Sequence, residues 1–382
     1  MRSGIVCCGV SCLDLFLYGT EPLPTRESLV MVEGTAYRAG GATSNTGRAL
    51  TRLGIAADYF TLLGDDANGD ILLDLWARDG IDTSHVVRTS EAGTAISVVP
   101  VYADGKRGVY HCPGANNLLS IDNVFGPDRR YLDVLRERLA FHVGYPPLLR
   151  RLQGEDLADL LRLVRETGVL MSLDTTPIPD DTTLRDMLAP ALPLAHLFMP
   201  NVMEASQVAG RFEELCARAC AATSQAGEPL EIEDVVMPGE LVAIGEHLVG
   251  QGVPIVILTL GPNGAFVCTG DEAALRTVPC VPGDVAGWAN LCLYVPGYEV
   301  EGPCNTAGAG DTFAAAVLAG LCRGLTSIEE IVRLAQATGA LHCDLSRGTC
   351  AFDDVHAALP SMRPRRPRNP HLPGIVAAFR GA

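Results

Sequence analysis

Apolar and polar positions change rhythm twice along this chain. Residues 4–10 form a short apolar run and predict a buried strand. Residues 13–19 predict a second strand, in which Asp14 stands alone among apolar neighbours. Such a carboxylate either meets a ligand or bonds nearby backbone, and the pattern leaves both open. Residues 29–38 alternate loosely, as a further strand would. A Gly40-Gly41 turn then opens a helix that stops at Gly54, followed by a strand at 57–63 and a helix at 67–79. Residues 95–102 and 108–110 are β-rich, with Ala103-Asp104-Gly105 as the turn between them. No helix follows this hairpin. It and residues 13–38 break the strand–helix alternation, so they predict a small separate sheet, a lid drawn from about 13–38 and 95–112.

From about residue 140 the rhythm is regular. Apolar runs at 140–143, 169–173, 195–199 and 255–260 read as buried parallel strands, with helices near 153–167, 201–209 and 239–250 between them. This predicts an α/β fold: a doubly wound, mostly parallel sheet flanked by helices, with right-handed crossovers and ligands at the carboxyl ends of the strands. Residues 210–238 are long and polar for a connection and predict an insertion, partly helical at 211–222. Helices at 310–322, 327–342 and 352–359 close a domain of residues 1–362. The basic, proline-containing run at 363–368 begins a C-terminal tail, 363–382.

The densest candidate chemistry is Asn305-Thr306-Ala307-Gly308-Ala309-Gly310-Asp311, just ahead of an apolar helix. Gly308 and Gly310 can take backbone angles closed to other residues. The amides of Gly308, Ala309 and Gly310 would then stand bare at a helix N-terminus, which binds anions. Asp311 beside such a hole can accept a proton or orient a hydroxyl, the pairing that phosphoryl transfer needs, and the helix N-terminus favours its charged form. A glycine-rich turn with Asp311 as a plain cap explains the same residues. Asn45 lies in the first turn after Gly40-Gly41, where its amide can donate and accept toward a hydroxyl-rich ligand. Asn201 and Glu204 fit either a capping box or a site for phosphate-bound Mg²⁺. Thr259, Gly261 and Gly264 fit either a tight turn or a loop over a nucleotide.

Composition narrows the classes. A formal net charge of −16 argues against a nucleic-acid surface. The single lysine is Lys106, and no Gly-Lys-Ser or Gly-Lys-Thr occurs, which excludes a Walker-type P-loop. Phosphate must therefore meet backbone amides and arginine. The 13 cysteines form no Cys-x-x-Cys pair and have no histidine at zinc-like spacing, as expected of reduced thiols in a cytoplasmic protein. No apolar run approaches the ~20 residues of a membrane helix, and none reads as a signal peptide.

Taken in order, these motifs resemble the ribokinase-like (PfkB) carbohydrate and nucleoside kinase family from about residue 4 to about 359. The stretches 40–54 and 305–320 are the most specific part. The resemblance implies a β-sheet lid over a sugar, ATP with Mg²⁺, and transfer of the γ-phosphoryl group to an alcohol. It implies Asp311 as base, with the residue 308–310 amides as anion hole. Asp14, Gly40, Gly41, Asn45 and Asn116 would contact substrate, and Asn201, Thr259, Gly261, Gly264, Gln336 and Gly339 the nucleotide and its phosphates. Glu204 would serve Mg²⁺ through water, and Asn305, where the family pattern commonly has Asp, a monovalent cation. A homodimer through the lid is expected, with no nucleic-acid or membrane partner. Sugar and nucleoside acceptors both stay open, and so does a non-catalytic sugar-binding or regulatory role. A dinucleotide oxidoreductase is disfavoured, because the glycine-rich stretch is C-terminal and lacks the third glycine.

Overall fold

The computed structural model describes residues 2–20, 26–102, 107–178, 181–281, 285–300, 302, 304–344, 351–374 and 376–379. The turn expected at 103–105 lies outside them. In chain order the strands are β1 (Ile5–Gly9), β2 (Cys12–Tyr18), β3 (Gly34–Gly40), β4 (Ala57–Phe60), β5 (Leu62–Gly64), β6 (Val87–Thr89), β7 (Ile96–Val101), β8 (Tyr110–Cys112), β9 (Ala140–Gly144), β10 (Leu170–Leu173), β11 (Leu197–Phe198), β12 (Ile255–Thr259), β13 (Ala265–Thr269), β14 (Cys292–Val295) and β15 (Ala377–Phe379).

Nine strands form one sheet in the order β15-β14-β13-β12-β11-β10-β9-β1-β4. The pairs from β4 to β12 are parallel, and those from β12 to β15 antiparallel. Alternate residues of a strand point to opposite faces. Ile5, Cys7, Leu170 and Ile257 pack into one apolar cluster, and Val6, Cys8, Met171 and Leu258 into another. Helices cover both faces, which is why these strands are continuous apolar runs rather than alternating ones.

The lid is a four-stranded sheet in the order β3-β2-β7-β8. β2 and β7 run parallel, and the two outer pairs are antiparallel. The expected strand at 57–63 breaks at Thr61, whose hydroxyl donates to the Gly9 carbonyl, and β5 turns away to pair with β6. The 210–238 insertion holds helices Phe212–Ala226 and Ile232–Val235.

The segment set apart as a tail packs back onto the domain. Asn369 is 0% exposed, and its side chain donates to the carbonyls of Glu233 and Val236. β15 extends the sheet beyond β14. Proline content suggested a tail, whereas asparagine side chains and an open sheet edge dock this segment.

Candidate active site

Asp311 sits in the first turn of the Ala309–Cys322 helix, whose N-cap Gly308 takes the left-handed conformation at φ 72°. The amides of Gly308, Gly310 and Asp311 meet no acceptor among the described residues, so the turn does present bare donors at a helix N-terminus. Ala309 does not belong to that set. Its N–H donates to the Thr306 carbonyl at 3.2 Å, closing the turn that leads into the helix.

Asp311 is not at an open mouth but 1% exposed. Its Oδ2 accepts from Asn45 Nδ2 at 2.9 Å and from the Tyr145 hydroxyl at 3.0 Å. Its Oδ1 is buried without a partner among the described residues. Burial pushes its pKa up to about 6, against the lowering effect of these two donors. The helix N-terminus was expected to favour the charged form; desolvation outweighs it.

The Gly40-Gly41 turn brings Asn45 here. Gly41 has φ 82°, and a Cβ on it would stand 2.5 Å from the Val10 carbonyl oxygen, so only glycine makes this approach. A Cβ on Gly40 would fall 2.1 Å from Asp14 Oδ2, which means the Asp14 carboxylate lies directly against the backbone there. Asp14 Oδ1 accepts from the Cys12 thiol at 3.1 Å, and burial raises its pKa. Asn116 is placed differently from the expectation. Fully buried, it accepts from the Ser11 N–H and donates to the Ser11 carbonyl, so it holds the β1–β2 turn rather than facing the cleft.

Asn201 and Glu204 form a complete capping box on the Val202–Val208 helix. They lie near Asp311 all the same, because Glu204 and Asp174 both feel its charge. Burial pushes Glu204 up to about 8 and Asp174 well above the usual carboxylate range. Asn201 bridges to Thr259, joining this helix start to the next strand end. Gly261 and Gly264 have φ 51° and 117°, and a Cβ on Gly264 would stand 2.2 Å from the Val295 carbonyl oxygen. Gln336 is buried and Gly339 half-buried on the Ile328–Cys343 helix; the neighbouring Thr338, Leu341 and His342 line a cavity.

That cavity has a volume of 490 Å³ and runs from Asp14 and Arg38 on the lid past Asn45 and Arg48 to Ala307, Gly308 and His342. Asn305 closes one side. Its Oδ1 accepts from the Ala307 N–H at 3.0 Å and from Arg107 Nη1 at 3.2 Å.

Sequence reasoning missed Tyr145, Asp174 and Arg48. The first two directly follow β9 and β10, at the carboxyl ends of parallel strands, where ligands of open α/β sheets bind. Arg48 is three residues after Asn45, on the same helical face.

An open α/β sheet, a lid, and bare helix-terminal amides beside a buried carboxylate define a class of phosphoryl-transfer proteins without a P-loop. Residues 2–351 match the family described as pfkB family carbohydrate kinase, and the chain belongs to that family. It is accordingly a phosphotransferase acting on a sugar hydroxyl. Fructokinase-1 of Zea mays is 25% identical over 330 residues, covering 84% of this chain and 87% of the relative. The structure of Arabidopsis thaliana ribokinase complexed with ribose and ATP superposes with a TM-score of 0.66 at 20% identity, covering 94% of this chain and 99% of that one. A putative ribokinase II from E. coli, in complex with ATP and Mg²⁺, gives the same TM-score and identity over the same shares.

Proposed function

We propose that this protein transfers the γ-phosphoryl group of ATP to a hydroxyl of a sugar, with Asp311 as the base. The observation that carries this is the geometry at residue 311: a carboxylate oriented by Asn45 and Tyr145 at the start of a helix whose amides at 308, 310 and 311 are bare. Asp311 is ionised above about pH 6, so near neutrality it can orient the acceptor hydroxyl and take its proton. The new P–O bond forms at that oxygen as the bond from the γ-phosphorus to the ADP bridging oxygen breaks. The bare amides receive the negative charge on the transferring group, without reorganising at the moment of reaction. Asp14 and the Gly40-Gly41 backbone grip hydroxyls, and Ser11 Oγ and Thr43 Oγ1 nearby are buried polar atoms without partners among the described residues. The lid excludes water, which would otherwise compete as acceptor.

The donor set also fits Mg²⁺ carried with the nucleotide. Asp174 and Glu204 offer oxygen ligands and are held against their charged forms by burial, so a cation would suit both. Among the described residues no three His, Cys, Asp or Glu side chains are grouped to hold a metal ion; in this reading the ion would be held through water and phosphate. When bound, Mg²⁺ neutralises charge on the phosphates.

A sugar acceptor is preferred to a nucleoside because a fructokinase and ribokinases are among the relatives and structural neighbours. The test is a panel of ketoses, aldoses, sugar acids and nucleosides, scored by ADP release and the position of the new phosphate. Turnover with sugars is expected. Turnover confined to nucleosides would replace the acceptor class, and none with any alcohol would remove the kinase reading.

A further inference from the structure

The cavity's charge does not match that of the molecule. The chain carries 45 acidic against 29 basic residues other than histidine, and many of its arginines, such as Arg88, Arg138, Arg218 and Arg333, pair with carboxylates. Arg38, Arg48 and Arg52 all line the cavity, and none of them has a carboxylate within ion-pair distance among the described residues. Arg48 and Arg52 stand one helical turn apart, a spacing at which like charges repel. His342 is drawn into the same group, its Nε2–H bonded to the Ala307 carbonyl at 2.7 Å. Burial first, and then Arg48 and Arg52, push its pKa down. The cavity's lining also holds Asp14, whose carboxylate accepts from the Cys12 thiol, and Asp344. Arg38 and Arg52 are exposed and Arg48 half-buried, so water solvates them, and three guanidiniums around one concave site attract an anion from outside.

The position of Arg48 says which anion. Its Nη2 donates to Asn45 Oδ1 at 3.2 Å, and the other amide end of Asn45 holds Asp311. Arg48 is therefore attached to the acceptor side of the site. From the lid, Arg38 lies 4.7 Å over the Phe16 ring, with Nη2 on the Tyr18 hydroxyl, so it is held in place rather than free. A guanidinium matches a carboxylate or a phosphate by paired N–H donors.

Building on the kinase reading above, we propose that the acceptor is an anionic sugar, one bearing a carboxylate or a phosphate, and that Arg48 binds this group with Arg38 and Arg52 around it. Asp14 and Asn45 then grip hydroxyls while the charged end lies toward the arginines.

The experiment uses the full chain with Mg²⁺ and ATP and compares matched acceptors: fructose and ribose, gluconate and a 2-keto-3-deoxy sugar acid, and fructose 6-phosphate. An anionic sugar should show kcat/KM about 10–100-fold above its neutral counterpart, the range for a charged hydrogen bond. Whether the acids or the phosphate ester leads identifies the source of the charge. In Arg48→Gln the ratio of anionic to neutral kcat/KM should fall toward one, with Arg48→Lys intermediate. Calorimetric binding of the same sugars to nucleotide-free protein separates the two claims. Anionic sugars should bind, more weakly as salt rises, whether or not turnover follows. Sugars that bind without ADP release would remove the kinase reading alone. Equal or better kcat/KM for neutral sugars, no binding of any anionic sugar, or anionic sugars competing with ATP instead of with neutral sugars would each overturn the inference. Should Arg48→Gln fail to fold, the wild-type ratio and Arg52→Gln decide.

Discussion

Tyr145 and Asn45 reach the same oxygen of Asp311 from different parts of the chain, one after β9 and one on the Ala42–Arg52 helix. Both donors favour the ionised carboxylate, against a burial that favours the neutral acid. Because the pKa lies near 6, the base is progressively protonated below that pH, and kcat/KM should fall there. Tyr145→Phe keeps the ring but removes one donor, so this acid limb should move to higher pH, by up to about one unit. A pH profile of kcat/KM from pH 5 to 9 checks this, and an unmoved limb would show that Tyr145 only fills space. Asn305 makes a second residue-scale case. Its Oδ1 already accepts from an amide and from the Arg107 guanidinium, a cation held by the lid. Potassium titrated at constant ionic strength should therefore change kcat/KM little, and Asn305→Asp should sharpen any response. Strong saturable activation of the wild type would contradict this. Asn45, Asn201, Glu204 and Asp311 were legible because they sit at helix starts, whereas the two bonds of Asn116 to Ser11 depend on a fold-level contact that no local pattern shows.

At the scale of elements, the Ala42–Arg52 helix connects lid, base and core. Its Gly47 was unremarkable in sequence, yet a Cβ there would stand 1.9 Å from the Tyr59 ring. Tyr59 is fully buried, donates to the Ser44 carbonyl and packs edge-on against Trp76, whose Nε1–H donates to Ser44 Oγ. Gly47→Ala should thus destabilise the protein by about 1–3 kcal/mol despite alanine's better helix propensity. Urea unfolding measures it, and an unchanged midpoint would mean that Tyr59 yields without loss. Most strands and helices were readable because burial on both sheet faces writes plain apolar runs. β13 and β14 were not read. They follow a turn that looked like a site loop, and runs of four or five residues carry little periodicity of their own.

At the scale of the molecule, the lid leaves an apolar surface. Leu29, Met31, Tyr37, Val109 and Tyr110 are exposed, Leu29 and Tyr110 by 82% and 69%. Of the other apolar side chains on the lid strands, Phe16 and Val99 are buried. A homodimer through the lid is therefore proposed from the exposed set. Light scattering at micromolar concentration should give twice the 40.4 kDa chain mass, and Tyr110→Asp should lower it. A monomer at that concentration would argue against the dimer. The lid's two segments were recognisable because they interrupt an otherwise regular alternation, whereas the docking of Asn369 and of β15 was hidden behind the segment's proline content.

Asp311 is the point on which the account turns, and Asp311→Asn tests it most directly. The amide keeps the size of the side chain and its place at the helix start but cannot take a proton. With the best acceptor from the panel, kcat should fall by roughly 10²–10⁴ while ATP binding, followed by calorimetry, stays close to wild type. Near-wild-type turnover by the folded variant would show that the acceptor is activated elsewhere and would contradict the assignment.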